Sequence, residues 1–238
     1  GYKVGLLINS FLESSLECVQ INGKPASEEA FSRFYKENEK LLRKSDLSRW
    51  QILTAFALSL FEEEKVQLMI LESNLGGDID PTYVEGENQK LVILTSLSLE
   101  HTALLGTTLS QIALNKISLL DSSSLLIPAL DDELSLLIRE EAGQNGSQFH
   151  VVDAYHFEKL VDGRFQFTYQ PYKDLVIPSK AHYLLNDAAL AIEATNLLKA
   201  EFPIDGDKVY EALSKTHIPM AMEERNGIIY DANSNVEA

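Results

Sequence analysis

What most constrains this chain is a rhythm of short apolar runs. They lie at residues 3 to 8, 67 to 71, 91 to 95, 124 to 127 and 148 to 152, separated by longer stretches with helical spacing. A run that is apolar at odd and even positions alike suits a strand covered on both faces, the habit of parallel sheets. Parallel strands need long crossovers, and the helical stretches supply them. The expected fold class is α/β: a mostly parallel, doubly wound sheet with helices on both faces. Residues 3 to 8, 67 to 72 and 91 to 96 are expected in its core. A small antiparallel element accompanies it. Residues 164 to 170 alternate cleanly, which predicts an exposed antiparallel strand that 175 to 177 pairs with.

Ser27 followed by Glu28 and Glu29 starts a helix that runs to Lys44, with the serine as N-cap and acids in the first turn. A second helix covers 48 to 64, its apolar face set by Ile52, Leu53, Phe56 and Leu60. Further helices are expected over 108 to 120, 131 to 142, 180 to 200 and 205 to 215. Asn22-Gly23-Lys24-Pro25 is a turn, Asn74-Leu75-Gly76-Gly77 breaks the chain, and 78 to 90 is polar enough for a loop. Residues 1 to 215 read as one domain. Residues 216 to 227 read as a linker, and Ile228 to Tyr230 as the first strand of a further domain reaching 238. Gly1 leads straight into a strand, so the first domain is expected to be incomplete at its N-terminal side.

The chain has 36 acidic and 20 basic residues, a formal charge of -16. Such a field does not attract nucleic acid or an anionic membrane surface. A polyanion such as ATP would need a local site with its own metal ions. No G-x-x-x-x-G-K-[ST] motif occurs, so the chain is expected to bind ATP poorly. The single cysteine, Cys18, excludes an intrachain disulfide framework and a Cys-rich zinc site, which suits a reducing, cytoplasmic setting. No apolar run approaches the roughly 20 residues of a membrane span.

In open α/β sheets, ligands sit at the carboxyl ends of the strands. Glu72 ends one expected strand and His101 lies a few residues beyond the next. Together they suit a divalent metal; separately they suit a solvated strand-end acid and a loop histidine. Lys116 lies seven residues from Leu109, four from Ile112 and three from Ala113, so it points along an apolar stripe. A buried ammonium costs several kcal/mol unless it is paired or modified. The other course is to snorkel to water. His182 and Asn186 share a helix face by their spacing, which an exposed polar face explains equally well.

The order of these pieces resembles a family. Leu71-Glu72-Ser73-Asn74-Leu75-Gly76-Gly77-Asp78-Ile79-Asp80 resembles the L-E-V-G-L-G-G-R-L-D of folylpolyglutamate and dihydrofolate synthases, a branch of the Mur ligases. Gly1 to Leu7 with Ile21-Asn22-Gly23-Lys24-Pro25 resembles that family's stretch after its first helix. Thr95-Ser96, Leu99-Glu100-His101-Thr102 and Leu105-Gly106 resemble its T-S-I-x-L-D-H-T-x-x-L-G. Ile112 to Lys116 resembles I-A-x-E-K, and His182 with Asn186 to Ala191 resembles H-Q-x-x-N-A-A-L-A.

The resemblance implies the P-loop-NTPase-like central domain of an ATP-dependent amide ligase, which adds glutamate to a folate or pteroate. It implies ATP and Mg as cofactors. Glu72, His101 and Lys116 would be metal ligands, with Lys116 carbamylated and, like His101, catalytic. His182 and Asn186 would contact the nucleotide. The chain departs from the family where a metal-binding Ser becomes Asn9, where Arg becomes Asp78, where Glu becomes Asn115, and where W-P-G-R becomes Ile218-Pro219-Met220-Ala221. A catalytically silent homologue that keeps the fold, and a cell-wall Mur ligase, are the other readings.

Overall fold

In the computed structural model, which describes residues 1–77, 80–83 and 89–232, two serines start the helices of a first compact unit, Gly1–Val84. Ser27 Oγ accepts the Ala30 N–H at 3.2 Å and opens α1 (Glu28–Lys44). Ser48 Oγ accepts the Gln51 N–H, and Gln51 accepts the Ser48 N–H in return, a capping box that opens α2 (Arg49–Glu63). The strands are β1 (Val4–Leu7), β2 (Val19–Ile21), β3 (Lys24–Pro25) and β4 (Leu68–Leu71). They form a sheet of order β3-β2-β1-β4, with β1 parallel to β4 and antiparallel to β2. Leu7, Cys18 and Val19 bury themselves under Phe34, Phe56, Ala57, Leu60 and Phe61 of the two helices.

One expectation for this sheet is corrected. β4 is an edge strand among the described residues, so Met69 and Ile70 are 47% and 51% exposed instead of forming a covered core. The expected loop at 78 to 90 falls mostly outside the described residues.

The second unit, Glu85–Ala238, is built on a parallel sheet of β5 (Leu91–Ile93), β6 (Ser124–Ile127) and β7 (Phe149–Val151). Its crossovers contain α3 (Thr102–Leu105), α4 (Leu109–Ile117) and α5 (Asp132–Gln144). Leu125 and Ile127 of β6 pack with Ala113 and Ile117 of α4 and Leu134, Ile138 and Ala142 of α5. Leu126 faces the other way, into the cluster formed by α6 (Leu184–Leu197) and the antiparallel strands. The central strand is thus covered on both faces, as its unbroken apolar run requires. Among the described residues β5 is the edge strand of this sheet and leaves Ile93 39% exposed.

The antiparallel element is larger than the alternation suggested. It comprises β8 (His156–Lys159), β9 (Phe165–Tyr169) and β10 (Tyr172–Ile177), with β9 in the middle. Phe165, Phe167 and Tyr169 are buried, so the expected exposed strand has one covered face. The Tyr169 hydroxyl donates to Glu193 Oε2 at 2.9 Å and accepts the Asp153 N–H at 3.3 Å, tying the end of β7 to α6. Burial first, then the nearby Glu193, pushes that phenol's pKa up.

After α7 (Gly206–Lys215), part of the expected linker has structure of its own. β11 (Glu223–Arg225) pairs with β12 (Ile228–Tyr230) across the left-handed Asn226-Gly227 turn. Ala221 is buried and its carbonyl accepts the Ser179 hydroxyl.

Candidate active site

In the first unit, Glu72 directly follows β4, and its N–H donates to Leu7 O at 2.8 Å, in line with the β1–β4 ladder. The neighbouring strand end delivers Asn9. Its backbone N–H donates to Glu72 Oε2 at 2.9 Å, and its side-chain amide reaches Ser73 O at 3.4 Å. Asn9 therefore sits on Glu72, where the family's metal-binding serine was expected. Cys18 is buried nearby, and burial, then the Glu17 and Glu72 carboxylates, push its thiol up, away from reactivity.

Two carboxylates shape the loops around this point. Glu17 accepts the N–H groups of Leu12, Glu13 and Ser14 and so pins the loop after Asn9; the Leu12 and Ser14 amides hold its pKa below the usual range. Asp80, 5% exposed, gathers the loop after Glu72. Its Oδ2 accepts from the amides of Asn74 at 2.8 Å, Leu75 at 3.0 Å and Gly76 at 3.4 Å. Its Oδ1 accepts from the Thr82 N–H at 3.0 Å and hydroxyl at 2.8 Å. Burial alone would raise the Asp80 pKa, but the donors of Thr82, Leu75 and Gly76 outweigh it and hold the carboxyl low. Its contribution to stability is complete above the ordinary aspartate pKa and is lost as acidification carries the pH down through its depressed value.

In the second unit, the chain leaving β5 runs through Thr95 to His101, an exposed residue in the left-handed conformation at φ 48° that precedes α3. A non-glycine residue there is uncommon, and such strain concentrates at functional sites. Gly106, at φ 113°, turns α3 into α4; a Cβ there would lie 2.5 Å from the Gln111 Cβ. The Asn115 amide donates to Leu105 O at 2.8 Å and to Gln111 O at 3.1 Å, locking the same corner. Lys116 follows on α4, half-buried, and among the described residues of this unit its ammonium makes no ion pair or hydrogen bond. Gly106→Ala is expected to cost about 1–3 kcal/mol through strain and overpacking, read as a lower urea midpoint. An unchanged midpoint would refute the corner's role.

His182 and Asn186 are also local to the second unit. Asn186 on α6 donates to Thr95 O at 3.4 Å, which brings it to the carboxyl end of β5. His182 is exposed, its ring 4.9 Å from Phe157 and 5.4 Å from Phe165, edge to face in both cases.

Comparison with known proteins agrees with these motifs. The chain is 28% identical over 241 residues to a probable bifunctional folylpolyglutamate synthase/dihydropteroate synthase of Haloferax volcanii, covering 94% of this chain and 28% of that one. It is 26% identical over 216 residues to the dihydrofolate synthase/folylpolyglutamate synthase of Bacillus subtilis, covering 84% and 50%. A solved FPGS–AMPPCP–folate complex superposes with a TM-score of 0.85 at 24% identity, over 97% of this chain and 61% of that one.

The chain is similar to folylpolyglutamate and dihydrofolate synthases. It spans half or less of the length of these two curated relatives, and it has the fold of the solved one. No family model matches it.

The resemblance to these synthases implies a magnesium ion, and the donors of the first unit suit one in kind. Glu72 offers a hard oxygen, with Oε2 already engaged by the Asn9 N–H. Among the described residues no three His, Cys, Asp or Glu side chains form a closed cage. Magnesium needs no such cage, since it keeps waters and substrate phosphates among its ligands. In the sequence Asp80 stood only as the last residue of a motif, with no role of its own, and Thr82 went unnoticed. The signal for them was an aspartate shortly after a Gly-Gly break, where a loop rich in free amides needs an acceptor.

Proposed function

We propose that this chain is the central domain of a folylpolyglutamate synthase/dihydrofolate synthase-type ligase, which joins glutamate to a folate or pteroate carboxylate at the expense of ATP. The observation that carries this reading is Glu72 held at the carboxyl end of β4 by Asn9, within a run of ordered motifs that spans nearly the whole chain. In the reaction the folate carboxylate takes the terminal phosphoryl group of ATP, and the amine of glutamate then displaces phosphate to form the amide. Magnesium, when bound, neutralises the phosphate charge.

The chain's own residues position and compensate. Glu72 presents a fixed carboxylate to the metal side of the site. His101 and a carbamylated Lys116 add an imidazole and a second anionic oxygen donor; carbamylation would turn the half-buried ammonium of α4 into a metal-facing group. Asn186 and His182 contact the nucleotide. A cytoplasmic location fits the free buried Cys18, and among the described residues no helix is long and apolar enough to cross a membrane.

Phosphate binding is where the chain is weakest. Its 238 residues contain no P-loop motif and carry a charge of -16. Calorimetry with ATP·Mg is expected to give a dissociation constant in the millimolar range, because the sequence holds no motif that cradles phosphates with backbone amides and a lysine. A micromolar value would contradict this assignment of the missing element.

The second reading is a silent homologue. It is favoured by Asn115, whose amide is spent on the α3–α4 corner where the family has a glutamate, and by Ile218-Pro219-Met220-Ala221, which has no arginine. A cell-wall Mur ligase matches the motifs less well. Binding of folate without glutamate transfer would favour the silent homologue.

A further inference from the structure

We propose that Asp80 is a positioning residue: its carboxylate is the built-in anion of the loop that follows β4, and by gathering that loop it holds Glu72 against Asn9. A strand-end loop with consecutive inward amides and left-handed glycines is the kind of concavity that usually binds a phosphate or other external anion. Gly76 and Gly77 have φ values of 89° and 77°. Here the concavity is filled from within, by Asp80 Oδ2 on the amides of Asn74, Leu75 and Gly76. The loop therefore does not take a substrate phosphate; it anchors itself.

The anchoring reaches Glu72 through an unbroken series of contacts. Asp80 Oδ1 accepts the Thr82 hydroxyl, and Thr82 Oγ1 lies 2.9 Å from Ser73 Oγ. The Ser73 carbonyl accepts the Asn9 side-chain amide, and the Asn9 backbone N–H holds Glu72 Oε2. On the far side, Trp50 Nε1 lies 3.5 Å from Asp80 Oδ1 and fixes the carboxylate to α2. None of these Asp80 hydrogen bonds goes to Glu72 or to β4, so its influence is transmitted through the loop. A carboxylate with this many donors cannot be replaced by an amide without turning an NH2 group against the loop N–H groups.

The test is amide hydrogen exchange in the whole chain. In Asp80→Asn, the amides of Asn74 to Gly76 and of Asn9 are expected to exchange at least about tenfold faster, the equivalent of one lost buried hydrogen bond, while β1 and β2 amides keep their rates. In Asp80→Ala, added formate is expected to restore Asn9 protection by refilling the concavity; in Leu60→Ala, destabilised elsewhere in the same unit, formate is expected to do nothing. If Asp80→Asn does not fold, Thr82→Val carries the test, since it cuts the link to Ser73 and leaves the charge in place. Asn9 protected as in the wild type, or all amides of the unit loosened equally, overturns the proposal. The relevance to catalysis rests on the ligase reading, but the exchange measurement does not. Coupling of Asn9 to Asp80 without glutamate transfer would sink only the ligase reading, and transfer with Asn9 indifferent to Asp80 would sink only this one.

Discussion

Glu72→Gln is expected to lower any folate- and glutamate-dependent ATP turnover at least about a hundredfold, the loss typical of removing one preorganised electrostatic group from a site. The glutamine keeps an oxygen for the Asn9 N–H and nearly the same volume, so the fold should survive. What it removes is the negative charge that a magnesium–phosphate assembly would lean on. Turnover measured beside far-ultraviolet circular dichroism separates the two effects. A Glu72→Gln protein that turns over like the wild type would remove Glu72 from the site.

Phe56→Ala is expected to destabilise the first unit by about 3–5 kcal/mol, the usual cost of emptying a buried aromatic position. Phe56 is 1% exposed and stands at the centre of an aromatic trio, 5.1 Å from Phe31 at 87° and 5.5 Å from Phe34. The space it would leave lies in the cluster where both helices pack on Leu7 and Val19. Trp50 is the only tryptophan and lies in α2, so its fluorescence reports this unit alone. The fluorescence-detected urea midpoint is expected to fall sharply. A loss below about 1 kcal/mol would mean that the helices repack freely and that the cluster does not fix the sheet.

Much of the fold could be read from residue order because the local signals agreed with one another. Ser27 and Ser48 mark helix starts by a mechanism that does not depend on context, and the structure uses both hydroxyls that way. The unbroken apolar run at 124 to 127 became the doubly covered β6. Signals that depend on neighbours failed. Alternation in 164 to 170 cannot say whether a strand will be flanked, and β8, with all four residues exposed, carries no apolar pattern to announce it. Met69 and Ile70 read as core because apolarity does not reveal which strand ends a sheet.

The candidate site divides in the same way. Glu72 was legible from its place after an apolar run, and His101 from its place in a loop beyond another. The left-handed backbone of His101 and the Asn9–Glu72 contact were not, because both arise from how the chain turns at a strand end. Lys116 was legible as an anomaly, and the half-buried ammonium, without a partner among the described residues of its unit, keeps it one. Asp80 was hidden because its role depends on amides four to six residues earlier in the chain.

The central claim is that this chain belongs to an amide-forming ligase acting on a folate. It is tested most directly by incubating the protein with millimolar ATP·Mg, a reduced folate and glutamate, and reading the product by mass spectrometry against ADP released. The account predicts a folate one glutamate longer, formed in step with ADP, requiring all three substrates and absent in Glu72→Gln. Folate bound but never extended, or ADP released without regard to folate and glutamate, would contradict it.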